Sequence, residues 1–394
     1  MNFLGYPRPD NSAGIRNYIL IIPGGLISEK ICAFVPGTKT FAMAKSGGGM
    51  TSRDREAIAR TFSGFGLNPN VAGVILHNGS PGAGYPELKV ERLSAEIEKS
   101  GKPVEVIDVR KEGGTLEAIT KGVKLARRMV FNASIIRREP VDISKLCLGV
   151  KCGASDPTSG MVGNPVVGYL FDRIVDGGGT TMFGETTELI GAEHIVASRA
   201  VDQKVADEIL EAVRFIENRA LSTGEDIRTM NPVPENIAAG ISSLEEKSLG
   251  AIYKAGHHPI QGLLKYAERP SRPGLYFVDN WMGPNSIFPG YAAAGAQLTI
   301  FQYGGGAAAR TVLDPSPAVT APLLWTSANP STYAVAGESL DFYSGTVIEG
   351  KETIEEAGER LLALVIDIAS GTLTRGETVN YADPIEVYGV DPLF

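Results

Sequence analysis

Cysteine is nearly missing from this 394-residue chain: Cys32, Cys147 and Cys152 make an odd count of three, with no CxxC pair. That excludes a paired disulfide framework and a self-contained cysteine-rich zinc site, and it suits a reducing compartment. Nor does any stretch approach the roughly 18 consecutive apolar residues that a membrane-crossing helix needs. Positive charge is also in deficit, since 37 Lys and Arg stand against 45 Asp and Glu for a net charge of −8. No global field is left to attract nucleic acid or an anionic membrane, so an anionic ligand has to be held by local cations. The start, MNFLGYPRPDNSAG, lacks a basic segment followed by an apolar run, and the expectation is a cytoplasmic protein. No GxGxxG stands between a strand and a helix, so no dinucleotide is inferred.

Glycine is what the chain has in abundance, 47 residues with clusters at 47–49, 177–179 and 304–306. Such clusters let backbone approach a ligand closely, although a flexible turn explains any one of them as well. The length points to two domains. Segments 71–76 and 104–109 read as buried strands, while 53–65, 87–99 and 115–130 carry apolar residues at helical spacing. In the last of these, Leu116, Ile119, Val123, Ala126 and Val130 form the expected buried stripe. Strands alternating with helices imply parallel pairing through crossovers. The predicted fold is a two-lobed α/β structure, a Rossmann-like N-terminal domain over 1–140 and a larger C-terminal α/β domain over 141–394. The polar interval 132–145 marks the boundary. Further strands are expected at 146–152, 180–185, 275–278 and 299–302, with helices at 164–176, 205–220 and after the Thr353-Ile354-Glu355-Glu356 capping box.

The densest polar constellation is Lys151-Cys152-Gly153-Ala154-Ser155-Asp156-Pro157-Thr158-Ser159-Gly160, followed by Asn164-Pro165, which reads as a helix N-cap and first turn. In an open α/β sheet ligands gather at the carboxyl ends of strands, and a helix start offers free N–H groups to an anion. Ser155, Ser159 and Asn164 can donate to the hydroxyls of a polyhydroxy acid; a loop that satisfies only its own backbone is the alternative. Glu185 and Glu188 follow the next strand and can share a metal or divide into acid and base, with helix capping as the other explanation for Glu188. Lys247 and Lys254, if buried, are candidates for a base or an enolate partner. His77 and Asp279 each end a strand, and the ends at His77, Cys152, Glu185 and Asp279 are expected to converge on one interdomain cleft. The adjacent His257 and His258 diverge and do not share a metal.

The runs GYPRPDNSAGIRN, NPNVAGVIL, LGVKCGASDPTSGMVGNPVVG, GGGTTMFGETTELIGAEHI, EEKSLGAIYKAG, GLYFVDN, AAGAQLTIF and IASGTLTRGE span nearly the whole chain. In these it resembles the altronate/galactarate dehydratase family, whose relatives include the large subunit of sulfolactate sulfo-lyase. The resemblance implies a two-lobed α/β fold and metal-assisted dehydration, usually with iron, of a sugar acid to a 2-keto-3-deoxy acid. Carried over by motif, it implies catalytic Cys152, Asp156, Glu185 and Lys254, and substrate-binding Arg16, Asn17, Ser159, Asn164, Glu188, Lys247 and Asp279. The chain departs from the family pattern where a His and a Cys are replaced within Lys45-Ser46-Gly47-Gly48 and where Gly-Cys-Glu becomes His77-Asn78-Gly79. A soft site built on those cysteines cannot form. Either a divalent metal, iron or magnesium, sits on His77, Asp156 and Glu185, or there is none and Lys45 supplies the charge in a catalytic role. The implied partners are a small carboxylate substrate, a small SAF-domain subunit and further copies of the chain. Three readings follow: a sugar-acid dehydratase, a sulfolactate-type C–S lyase, and a catalytically silent sugar-acid-binding homologue. Retained Cys152, Asp156 and Glu185 weigh against the third.

Overall fold

The computed structural model describes residues 1–43, 49–80, 82–305, 318–379 and 382–391. Strands Thr38–Lys39, Tyr18–Ile22, Val71–His77 and Val104–Ile107 lie in that spatial order in a parallel four-stranded sheet. Alternate side chains serve alternate faces. Leu20, Ile22, Val74 and Leu76 meet helices Ser52–Leu67 and Val90–Glu98, whereas Ile19, Ile21 and Ile75 meet helices Leu26–Phe34 and Thr115–Ile135. This is the Rossmann-like layer expected of the first lobe. The stripe expected on Thr115–Ile135 holds in part, with Ala126 buried and Ile119, Val123 and Val130 partly buried against this core. Leu116 is 78% exposed, and the buried face is Ala118, Gly122, Ala126, Met129 and Ala133. Close approach sets the fully buried line, because a Cβ on Gly122 would lie 2.2 Å from the side chain of Ile31 on the neighbouring helix Leu26–Phe34.

The second lobe holds a parallel seven-stranded sheet ordered Ile260–Leu264, Gly274–Val278, Thr180–Gly184, Cys147–Gly153, Leu298–Tyr303, Leu323–Ser327 and Phe342–Tyr343. Helices Asn164–Asp176, Gln203–Leu221 and Ile354–Ala369 cover one face, and Pro284–Ala293 packs on the other. The boundary interval is more ordered than its polarity suggests. Helix Thr115–Ile135 runs into it, and Glu139–Asp142 pairs antiparallel with Asn2–Pro7 in a small third sheet.

A polar latch joins the lobes. Asn68 Nδ2 donates to the carbonyls of Ala292 and Ala296 at 2.7 and 2.8 Å, and Asn70 Nδ2 to those of Gln297 and Thr320 at 2.8 and 2.9 Å. Asn70 Oδ1 accepts from Ile15 and Arg16 N–H, and Gln297 Nε2 donates to the carbonyls of Ala13 and Lys145. Asn68, Asn70 and Gln297 are wholly buried. Because each amide bonds only to backbone, its job is to satisfy irregular chain that would otherwise be buried unpaired. Asn70→Ala should therefore lower unfolding free energy by about 3 kcal/mol or more, read from the urea midpoint, since it strands several buried groups at once.

Candidate functional site

The carboxyl ends of Cys147–Gly153 and Thr180–Gly184 lie side by side. Consecutive residues of a strand point to opposite faces, so Lys151 and Cys152 separate. Lys151 Nζ passes over the Phe301 ring, 5.2 Å from its centroid. Cys152 turns toward Lys254, which stands on the single turn Tyr253–Ala255 packed on helix Asn164–Asp176. Glu185 leaves its strand with φ 77°, a left-handed conformation that costs a non-glycine residue roughly 1–3 kcal/mol. That turn buries its carboxyl completely and spreads it between two ammonium groups, Oε1 at 2.9 Å from Lys151 Nζ and Oε2 at 3.4 Å from Lys254 Nζ. Glu188, on the following turn, completes the group: its Oε2 is 2.6 Å from Lys254 Nζ and 3.2 Å from Cys152 Sγ.

Burial, and then the charge of Glu188, push the Glu185 carboxyl up to about 8, against the pull of Lys151 and Lys254. Burial acts upward on Glu188 too, but Lys254 and a hydrogen bond from Glu185 outweigh it and leave Glu188 below the usual carboxylate range. Near neutral pH the two carboxyls thus share one proton, held on Glu185, a division into acid and base of the kind like charges in contact enforce. The Cys152 thiol is raised to about 12 by burial and by Glu188. It is a neutral thiol here and not a thiolate nucleophile. Burial acts downward on Lys254, but Cys152, Glu185 and Glu188 together hold its ammonium well above the ordinary lysine range.

Lys151, Cys152 and Glu188 of this cluster line a cleft of about 560 Å³ together with Ser155, Asn236 and Lys247, while Glu185 and Lys254 lie buried behind them. Lys247 Nζ donates to Asn231 Oδ1 at 2.6 Å and Asn236 Oδ1 at 3.2 Å. Both partners are neutral amides, so neither hydrogen bond of this buried ammonium is to a carboxylate. Asn236 in turn donates to the Ser155 carbonyl at 2.8 Å, which fixes the platform.

The model for D-galactarate/altronate dehydratase, C-terminal, matches residues 143–388, and that for D-galactarate dehydratase/altronate hydrolase, second domain, matches residues 5–134. The chain belongs to the D-galactarate/altronate dehydratase family. It is 33% identical to the (2R)-sulfolactate sulfo-lyase subunit beta of Chromohalobacter salexigens over 97% of this chain and 96% of that one. It is 30% identical to galactarate dehydratase (L-threo-forming) of Escherichia coli over 79% of this chain, but spans 59% of that enzyme. With altronate dehydratase of Bacillus subtilis it shares 27% identity over 97% of this chain and 76% of the other. These relatives are lyases, and so is this family member.

Of the residues that the family resemblance implied, Cys152, Glu185, Glu188 and Lys254 meet directly, and Lys247 lines the same cleft. Ser155, Asp156, Ser159, Asn164 and Lys247 line a smaller adjoining pocket of about 200 Å³. Asp156 is committed to structure within it. Its Oδ1 accepts from Thr158 N–H, Thr158 Oγ1 and Ser159 N–H, and its Oδ2 from Asn329 Nδ2 at 2.7 Å. Asp156, not Asn164, caps this helix, because the turn Ser159–Gly163 is a π-helix and Asn164 already has helical φ and ψ. The Asp-Pro pair at 156–157 is the same capping signature placed earlier in the chain. Freed from capping, Asn164 donates to the Gly250 carbonyl at 2.9 Å, and its buried Oδ1 has no partner among the described residues. Asp279 accepts from Thr186 Oγ1 at 2.7 Å, one residue from Glu185 but outside the cleft lining. Asn231, Asn236 and Asn329 were not expected at all; only the Asn329-Pro330 cap signature could have flagged one of them.

Arg16 and Asn17, which the family resemblance implied, and His77, which its strand-end position suggested, stand elsewhere. Arg16 forms a buried ion pair with Glu377 at 2.6 Å and bonds the carbonyls of Ile15, Ile368 and Thr372. Asn17 bonds Arg8 and the Ala133 carbonyl. His77 is a correction to the expected metal set: it belongs to the other sheet, its Nε2 faces Ser28 Oγ at 2.9 Å and the Pro23 carbonyl at 3.1 Å, and its Nδ1 accepts from Gly79 N–H. Both ring nitrogens are engaged, so the expected convergence loses one member. Lys45 lies outside the described residues. His257 and His258 pair separately with Asp172 and Asp176, as expected of adjacent histidines.

Burial lowers His77 from 6.5 to about 4, against the help of the Pro23 carbonyl. The unfolded chain therefore binds this proton first as the pH falls. The contribution is fully present above pH 6.5 and is lost on descent toward 4, by up to about 3 kcal/mol. Urea midpoints between pH 7 and 4 should fall less steeply in His77→Gln than in the wild type.

Cys152, Glu185 and Glu188 offer ligand atoms all within 4.8 Å of one another, a set that could hold a metal ion. As folded, the set does not fit one. Lys254 Nζ stands within 3.4 Å of all three groups, and a divalent ion would have to displace its ammonium.

Proposed function

We propose that the protein eliminates a group β to the carboxylate of a small hydroxylated acid, in the first instance water from a sugar acid to give a 2-keto-3-deoxy acid. The observation that carries this is the Glu185–Glu188 carboxyl pair set against the ammonium groups of Lys151 and Lys254, with Glu188 on the wall of a cleft that Lys247 also lines. The substrate carboxylate binds Lys247. Removing the neighbouring proton places charge on that carboxylate as an enediolate, which the preorganised ammonium groups of Lys151 and Lys247 stabilise. Glu188, the ionised carboxylate on the cleft wall, takes the proton, and Glu185 gives its own to the departing hydroxyl. One proton enters the pair and one leaves, so the pair is restored when the remaining proton returns to Glu185. The resulting enol becomes the keto acid.

A sulfolactate-type C–S lyase is the second reading, favoured by the end-to-end match to the sulfo-lyase subunit over 97% and 96% of the two chains. There sulfite is the leaving group, and two anionic ends of the substrate use both Lys151 and Lys247. On either reading the protein acts in the cytoplasm, as a homo-oligomer or with a small SAF-domain subunit. Sugar acids and (2R)-sulfolactate, each assayed for 2-keto acid and sulfite, separate the two. Keto acid without sulfite supports dehydration, sulfite supports the second reading, and neither product from any acid, with the subunit supplied, overturns both.

A further inference from the structure

The environment of Lys254 is that of a bound cation rather than of a lysine at rest. An ammonium carries three donors, and this one has three acceptors: Glu188 Oε2 at 2.6 Å, Cys152 Sγ at 3.2 Å and Glu185 Oε2 at 3.4 Å. All three acceptor groups are fully buried, and Lys254 itself is 1% exposed. They are also the only group of three His, Cys, Asp or Glu among the described residues close enough together to ligate one metal ion. The one such ligand set among the described residues is therefore already occupied by a cation supplied from within the chain.

We infer that Lys254 is the resident cation of the Cys152–Glu185–Glu188 centre, and that its ammonium keeps divalent metals out of a ligand set otherwise able to take them. The physical reason is competition for one small volume. A divalent ion needs the thiol proton removed and the shared carboxyl proton displaced, and with Lys254 in place it also meets a positive charge at ligand distance. Withdrawing the lysine side chain removes that repulsion and leaves the two carboxyls short of a counter-charge, which favours metal entry. Glu185 retains Lys151 on its other oxygen, so the vacated centre keeps its shape on that side. This inference concerns cation occupancy and stands whichever leaving group the enzyme expels.

Cobalt(II) is a suitable probe because its bond to a thiolate gives a near-ultraviolet charge-transfer band that carboxylate or imidazole ligation does not. The metal-free full-length protein would be titrated with Co²⁺ as wild type, Lys254→Ala, Lys254→Met and Lys254→Ala/Cys152→Ser, with folding followed by circular dichroism. The wild type should show no band that Cys152→Ser removes. Lys254→Ala should gain such a band, with Co²⁺ bound on the order of 100-fold more tightly than by the wild type, and lose it in the double variant. Lys254→Met, which keeps the length of the side chain, carries the comparison should the alanine variant unfold. A Cys152-dependent band in the wild type would overturn the inference without any variant at Lys254. A folded Lys254 variant that binds no Co²⁺ through Cys152 would overturn it too.

Discussion

Glu185→Gln should lower kcat about 10³-fold while leaving KM within a few fold, because it removes a positioned proton donor and not a substrate anchor. Glu185 lies beneath the cleft wall, wholly buried, with one oxygen on Lys151 and the other on Lys254. An amide there keeps the shape but cannot release a proton to a leaving hydroxyl. The pH profile adds an independent reading. Glu185 holds its proton up to about pH 8, so wild-type kcat should fall as the pH rises through that value, and the alkaline limb should vanish in Glu185→Gln. A variant with wild-type kcat would remove Glu185 from the chemistry and leave it a structural counter-ion.

Lys247→Met should act in the opposite way, raising KM roughly 100-fold with a smaller change in kcat. Its hydrogen bonds among the described residues go to neutral amides, Asn231 and Asn236, with no carboxylate bonded to it. Losing a charge-assisted contact of this kind costs about 2–3 kcal/mol in binding. Substrate titration at two ionic strengths checks it. An unchanged KM for an anionic substrate would place the anchor elsewhere, with Lys151 next in line.

Much of the frame was legible because parallel α/β sheets announce themselves through β-branched runs and alternate helices. The strand ends carrying Cys152 and Glu185 were readable for the same reason, since such sheets present ligands at their carboxyl ends. What could not be read was which neighbours those ends would find. Lys151 follows from nothing local: it becomes a partner of Glu185 only because Glu185 turns with φ 77°. The amides around Lys247 come from Asn231 and Asn236, across a turn of chain with no periodic signal. His77 sat at the end of its first-lobe strand as expected, but its ring is engaged by Ser28 and the Pro23 carbonyl and is not among the residues lining the cleft. Of the expected stripe only Leu116 misses the core, while Ala126 is buried and Ile119, Val123 and Val130 pack against it; periodicity did not reveal that the tight crossing of Gly122 on Ile31 favours small residues at its centre.

The amide latch of Asn68, Asn70 and Gln297 bears on how this molecule comes apart. Its bonds tie backbone from one lobe to backbone of the other, and Phe62 and Phe65 share a continuous apolar core with Phe288 and Tyr291. Neither lobe can melt without stripping the other of bonds that water would have to replace. Two units that size would ordinarily unfold in separate steps, but here heating should give a single calorimetric peak. Amide protons at Ile15 and Arg16, which donate to Asn70, should exchange with solvent only through that same global event.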